Sequence, residues 1–436
     1  MVEIIPFIGL TFNKELFEKL DDVMSPPYDI ITNEMQNKLY QKDKYNFVRL
    51  IFGKINKDDS YNNNRYTRAA RDFDKWQKEN ILIESNKPAI YPYKISYKVN
   101  KKIKSMSGFF ILLKLDHEYK KVKAHEITLS KPKADRLNLM RECKANLEPI
   151  QLLYIDKKDI IRKKIDLLLK NPMIDVTGYD GFNHKLWRIN DSKVISDIQN
   201  ELKNQSLFIA DGHHRYQTAL NYASEMKKQT CIKDENAAFN YMMVILVNMF
   251  DEGLTILPTH RFVKKSDLDL KKSIEKLKKY FNIQEKKIDP LKISSIDISK
   301  KIMNEIKTEK SHKFAIYIKN KYYILTLKDE KIMNDFAPDH TKTWRMLDVS
   351  ILHKIVLESI MGINQKNIEN HVKYTRIDIE AVEQVNQDKF DFSILMNATT
   401  IDELKAVANA GEHMPQKSTY FLPKMLSGLV MYKMNF

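Results

Sequence analysis

Two cysteines, Cys143 and Cys231, are all that this chain of 436 residues contains. That excludes a disulfide framework and a cysteine-based metal cluster, and neither residue has a Cys-x-x-Cys partner; both read as inert. Long hydrophobic runs are missing as well. The longest, Tyr241–Val247, is far short of the ~20 residues a membrane helix needs. The opening MVEIIPFIGL lacks the basic start and small-residue cleavage site of a signal peptide, so a cytoplasmic location without a membrane partner is expected. Also lacking are an internal repeat, a low-complexity tract, an arginine-rich arm, a zinc finger and an aromatic-studded basic patch. The formal charge of +16 suits an anionic partner. Its lysines, however, are spread along the whole chain, as in Lys271–Lys279, where Ile274, Leu277 and Phe281 make the apolar stripe between them. Such stretches read as solvated helix faces, and nucleic acid is not the expected partner.

What is present is enough apolar material, 43 % of residues, to fill the cores of two or three domains. Pro26-Pro27 fixes an extended turn that presents Tyr28 and Asp29, ahead of a helix capped by Thr32 or Asn33. Arg65–Glu79 has helical periodicity through Ala69, Phe73 and Trp76. Ala89–Tyr97 and Ser107–Leu115 read as strands joined by the basic turn Asn100–Lys104, Gln151–Tyr154 as a further strand and Asp159–Leu169 as a short helix. Tyr241–Val247 and Leu254–Leu257, around Asp251-Glu252-Gly253, read as a hairpin. Ser266 with Asp269 looks like a capping box that opens a helix to Tyr280. Beyond it come a hairpin over Phe314–Leu327, a helix over Leu347–Met361 stopped by Gly362, a strand at Phe392–Met396 and a helix opened by Thr400 and Glu403. The fold class is α+β, with boundaries expected near residues 118 and 262.

The stretch around which the chain is organised is Ser206–Leu220, SLFIADGHHRYQTAL. Leu207–Ile209 form a short apolar run, Asp211-Gly212 breaks it, and Tyr216, Leu220, Ala223 and Met226 recur at helical spacing. The pattern is strand, tight turn, helix. Gly212 lets the backbone approach a ligand closely. His213, His214 and Arg215 fall in the first helical turn, where the amides and the dipole favour an anion, so the turn suits phosphate. The same letters also describe an ordinary N-cap and turn, and spacing alone leaves both readings open.

Three other stretches carry candidate chemistry. His125-Glu126 precedes a loop broken at Pro132, and a carboxylate there can act as a general base if it reaches a substrate hydroxyl. The predicted hairpin delivers Thr259, His260 and Arg261 to one end as extra donors for an anion. Between Pro415 and Pro423, Lys417, Ser418 and Thr419 offer an ammonium and two hydroxyls suited to phosphate oxygens. Most glutamates in such a loop are merely solvated, an ordinary hairpin exit accounts for the second stretch equally well, and composition alone favours a plain surface loop for the third.

Taken together, PFIGL, SPPYDII, HEITLSKPKADRLNL, DGHHRYQTAL, NMFDEGLTILPTHR, LDVSILHKIV and GEHMPQKSTYFLPK are similar to the motifs of a widespread family labelled only as a domain of unknown function. More distantly, DGHHR followed by a helix resembles the signature of the ParB/sulfiredoxin-like superfamily, and most of all that of the free L-serine kinases. The resemblance implies an N-terminal region over 1–118, a nucleotide-binding catalytic core over 119–262 and a mixed α/β C-terminal domain over 263–436 that contributes a phosphate-binding loop. It implies phosphorylation of free L-serine to O-phospho-L-serine with ATP or ADP, pyrophosphate being a further donor, and with magnesium. Glu126 then takes the place of the catalytic base. Asp211, the second catalytic residue, either helps to hold magnesium through water or fixes the motif's histidines and arginine. Gly212, His213, His214, Arg215, Lys417, Ser418 and Thr419 contact phosphate, and His125, Thr259, His260 and Arg261 hold the substrate. The alternative from the same superfamily is a nucleotide-dependent DNA-binding switch, which calls for a helix-turn-helix after the cradle that this sequence does not display. Oligomeric state is not encoded in any of these motifs.

Overall fold

All eight residues of the strand Tyr241–Asn248 are buried, as expected for a segment apolar on both faces that must lie inside a sheet covered on both sides. In the computed structural model it does so. The structure describes every residue except 100–101, 126–129, 231–233, 290–291, 308–310, 416 and 436, and the chain divides into two units. One comprises Met1–Ala124, Thr128–Thr255 and Leu422–Phe436, the other His125–Ile127 and Ile256–Phe421.

The first unit is built on a nine-stranded mixed sheet. Its strands are β1 (Ile4–Ile5), β2 (Tyr91–Val99), β3 (Lys102–Lys114), β4 (Val122–Lys123), β5 (Ile150–Tyr154), β6 (Ile174–Thr177), β7 (Asn183–Leu186), β8 (Leu207–Asp211) and β9 (Tyr241–Asn248). The spatial order is β4-β8-β5-β9-β3-β2-β7-β6, with β1 also on β3. The pairs β8–β4 and β9–β5 are parallel and the others antiparallel. Residues 1–118, expected as a region of their own, thus supply β1, β2 and β3 to the same sheet as the strands that come after them in the chain.

Three helices of this unit pack together: α1 (Arg65–Lys78), α2 (Ser130–Cys143) and α3 (His213–Thr230). Asn64 caps α1 through a capping box with Thr67, and its apolar side buries Ala69, Phe73 and Trp76. Helix α2 packs on both α1 and α3, and Arg141 of α2 reaches Glu225 of α3 through two hydrogen bonds of 2.7 and 3.0 Å. Burial of Tyr216, Ala219, Leu220 and Ala223 fixes which side of α3 faces the sheet.

The second unit is a six-stranded antiparallel sheet, β11-β13-β12-β15-β10-β14, from β10 (His260–Val263), β11 (Phe281–Lys287), β12 (Lys313–Ile318), β13 (Lys321–Leu327), β14 (Val372–Thr375) and β15 (Phe392–Met396). Helices α4 (Ser295–Ile306) and α5 (Asp378–Asn386) cover it with Ile298, Ile302 and Ile306 of the one and Ala381, Val382 and Val385 of the other. The last helix, α6 (Ile401–Asn409), is opened by the Thr400–Glu403 capping box and followed by Gly411 at φ +73°.

Three local expectations are corrected. Leu254–Leu257 does not return on Tyr241–Asn248 as a hairpin, because β3 and β5 already occupy both edges of β9; Leu257 N–H donates instead to the Tyr420 carbonyl at 2.9 Å. Asp269, not Ser266, caps the Leu270–Leu277 helix by accepting from the Lys272 amide. The expected helix over Leu347–Met361 is α-helical only at Asp348–Ile351 and continues as a π-helix over Leu352–Ile360. Gly362, at φ +67°, comes after it.

Candidate functional site

The DGHHR turn lies in the first unit. Strand β8 ends at Asp211 with a register shift between Ile209 and Asp211, Gly212 takes φ +94°, and α3 begins at His213. That backbone angle strains any residue with a Cβ, and a Cβ at Gly212 would also lie 3.1 Å from Arg215 Nε. Tyr216 N–H closes the first turn on the Gly212 carbonyl at 2.9 Å.

Asp211 is the hub of the charges here. Arg215 Nη2 donates to its Oδ2 at 2.5 Å, and Lys424 Nζ donates to its Oδ1. Burial pushes this carboxyl up, but Lys424 and then Arg215 outweigh it and hold the group well below the usual carboxylate range. Arg215 is itself buried and turns inward, with Nη1 donating to the Pro149 carbonyl. Its guanidinium therefore faces the protein interior, whereas the sequence alone placed it on phosphate. Two cations thus share one carboxylate at the N-terminal, positive-dipole end of an 18-residue helix.

Behind the turn lies a second buried charge group. Glu148 accepts from the Tyr28 amide at 3.1 Å and the Ser427 hydroxyl at 2.9 Å, and Arg136 Nη1 stands 3.6 Å from its other oxygen. Burial pushes Glu148 up, against the opposing pull of Arg215 and Arg136. Arg136 also donates to Asp135 and lies 4.0 Å over the Tyr28 ring, and burial raises the Tyr28 phenol to about 12. A cavity of about 40 Å³ is lined by Arg136, Glu148, Arg215 and Thr218 among others, room for a few waters between these groups.

The remaining expected site residues fall in the second unit, apart from Glu126, which lies outside the described residues. His125 is buried, Nε2 lies 3.1 Å from the Thr419 hydroxyl, and its carbonyl accepts from the Met414 amide at 2.6 Å. The Ser418 hydroxyl donates to the Pro415 carbonyl, and Lys417 is exposed at φ +57°. His260 sits on β10 with Nε2 2.8 Å from Asp378 and Nδ1 accepting from the Met396 amide at 3.3 Å. Both nitrogens are thereby engaged by the fold. The buried Thr259 hydroxyl has no hydrogen-bond partner among the described residues.

Arg261 is 0 % exposed yet pairs with no carboxylate in a salt bridge among the described residues. Nη1 donates to the Thr259 carbonyl, and Nη2 lies 3.4 Å from both His353 Nε2 and the Lys417 carbonyl. Its Nε has no partner among the described residues. Burial lowers the guanidinium to about 10, opposed only by Tyr374, so it is still protonated at neutral pH.

A family model described as a protein of unknown function (DUF1015) matches residues 4–350. The chain belongs to that family. No curated protein matches the sequence. Among solved structures, the chain is similar to a free serine kinase in complex with AMP, at 14 % identity and TM-score 0.36 over 72 % of this chain and 87 % of that one. A variant of a free serine kinase in complex with ADP gives 14 % and 0.37 over 75 % and 91 %. A conserved hypothetical protein from Pyrococcus furiosus gives 13 % and 0.33 over 72 % and 90 %.

Among the described residues no group of three or more His, Cys, Asp or Glu side chains could hold a metal, and no helix is long and apolar enough to cross a membrane. Both Asp211 oxygens serve Arg215 and Lys424. The carboxylate is thus the shared counter-ion of two cations.

Three side chains in these clusters escaped the sequence reading: Glu148, Lys424 and His353. The signal for the first two was charge out of place. Glu148 stands in NLEPIQLLY and Lys424 in FLPKMLSGLVM, and ionic groups in apolar runs are buried only when paired. His353 carried no comparable signal, since one histidine on a helical pattern is ordinary.

Proposed function

We propose that this protein is a small-molecule kinase with a ParB/sulfiredoxin-like nucleotide-binding core, which transfers a phosphoryl group from ATP or ADP to the hydroxyl of free L-serine. The observation that carries the reading is the Asp211–Gly212 turn. One carboxylate is shared by Arg215 and Lys424 at a helix N-terminus, beside a glycine at φ +94°. Nucleotide phosphates bind there through the backbone of Gly212 and through His213 and His214. Arg215 and Lys424 act from behind by fixing Asp211.

In the transfer, the serine hydroxyl oxygen attacks the terminal phosphorus, the bond to the bridging oxygen breaks, and ADP or AMP leaves with the electron pair. Glu126 accepts the hydroxyl proton. Positioning and charge neutralisation supply most of the acceleration in such reactions. Lys417, Ser418 and Thr419 contribute phosphate contacts, and His125 and Thr259 position the acceptor, while the buried His260 and Arg261 take no direct part in it. Magnesium bound with the nucleotide would offset charge on the phosphates.

The test is to incubate the protein with L-serine, magnesium and, separately, ATP, ADP or pyrophosphate, and to look for O-phosphoserine by phosphorus NMR. Product is expected with a nucleotide, and Glu126→Ala is expected to slow turnover by roughly 10²–10⁴-fold while nucleotide affinity holds. Nucleotide binding without product from any donor would overturn the serine assignment.

A further inference from the structure

Beyond the phosphoryl-transfer reading, the second unit contains a cavity of about 530 Å³ walled by His340, Trp344, His353, Lys354, Lys366 and His413 among others. Most of its ionisable wall is basic or imidazole. Among the described residues its one carboxylate, Glu358, is held by Lys354 at 3.0 Å. His353, Lys354 and Glu358 all come from the π-helical stretch Leu352–Ile360. Runs of i→i+5 bonding are rare and concentrate at functional sites.

The wall has a charged backing. Arg261 is completely buried, and among the described residues no carboxylate pairs with it. Removing an ion from water without a counter-ion is costly, so the fold maintains a cation that nothing in the described chain neutralises. Arginine can only donate, so in the 3.4 Å contact between Arg261 Nη2 and His353 Nε2 the imidazole nitrogen accepts. That fixes the tautomer with the proton on Nδ1. No other hydrogen bond engages His353 among the described residues, so the Nδ1 N–H is left as a donor on the side away from Arg261.

We propose that this cavity binds the oxyanion, carboxylate or phosphate, of a small molecule, with His353 Nδ1–H as donor, the Arg261 charge behind it and Lys366 at the rim. Arg261 and His353 are a charge-backed donor pair, and the bound anion is the missing counter-ion.

The test uses the full chain labelled with ¹⁵N-histidine. Inorganic phosphate and acetate are titrated separately, with chloride at matched ionic strength as control, and His353 is identified as the imidazole signal absent from His353→Phe. One of the two oxyanions is expected to shift that signal saturably while chloride leaves it in place; which one does so assigns the ligand class. Arg261→Met is expected to weaken the effect at least tenfold and Arg261→Lys to retain part of it. Lys366→Gln, at an exposed position, is expected to weaken it severalfold without affecting folding. Absence of a saturable shift with either oxyanion, or an unchanged affinity in folded Arg261→Met, would overturn the proposal. No nucleotide or turnover is involved, so its failure leaves the kinase reading standing.

Discussion

Lys424 donates to the same Asp211 carboxylate as Arg215 although it lies 213 residues further along the chain. The last residues of the chain are thereby tied to the turn that opens helix α3. The two cations hold Asp211 ionised far below its ordinary range.

Asp211→Asn leaves Arg215 and Lys424 buried without their counter-charge. A loss of about 3–5 kcal/mol is expected in urea unfolding at neutral pH. Lys424→Met leaves Asp211 its bond to Arg215 and is expected to cost about 2 kcal/mol. Because the folded carboxyl is lowered, its contribution is complete above about pH 4 and is lost as pH falls through the lowered value. In Asp211→Asn that part of the acid sensitivity should be gone.

Gly212→Ala puts a Cβ on a residue at φ +94° and 3.1 Å from Arg215 Nε. Backbone strain alone is about 1–2 kcal/mol. Thermal unfolding should report at least that loss, and nucleotide affinity measured calorimetrically should fall, since the turn can relax only by moving Arg215. Wild-type stability in this variant would mean that the turn does not need its positive φ.

His353 is lowered to about 3, first by burial and then by Arg261. Below about pH 6.5 the unfolded chain takes up a proton on this imidazole that the folded chain refuses until about pH 3. Stability therefore falls with acidification across that window, by at most about 1.4 kcal/mol per pH unit. His353→Phe should flatten the dependence, read as denaturation midpoints at a series of pH values.

Thr400→Ala removes one half of the capping box that opens α6, in which Thr400 and Glu403 exchange hydrogen bonds. The expected cost is about 1 kcal/mol. Thr400→Ser should restore most of it.

Elements set by local chemistry were legible in the letters. The 3.6-residue recurrence of Ala69, Phe73 and Trp76 specifies α1, the unbroken apolar run at Tyr241–Val247 a buried strand, and Thr400 with Glu403 a helix start. The Asp211-Gly212 break between an apolar run and a helical pattern likewise specifies the turn, because strand, positive φ and helix are each encoded within a few residues. The Leu254–Leu257 hairpin failed for a nonlocal reason. A turn signal says that a chain reverses, not that the strand before it has an edge to spare, and β9 has none.

The direction of Arg215, the pairing of Asp211 with Lys424, the burial of Glu148 beside Arg136 and the contact of Arg261 with His353 were decided by tertiary structure alone. Each joins residues that no periodicity relates, or turns a side chain inward where its letter also suits solvent. Local sequence sets backbone conformation through sterics and hydrogen bonding over a few residues. Which charges share a low-dielectric interior depends on how distant segments pack, and in this protein that packing selects the partners of Arg136, Arg215, Arg261 and Lys424.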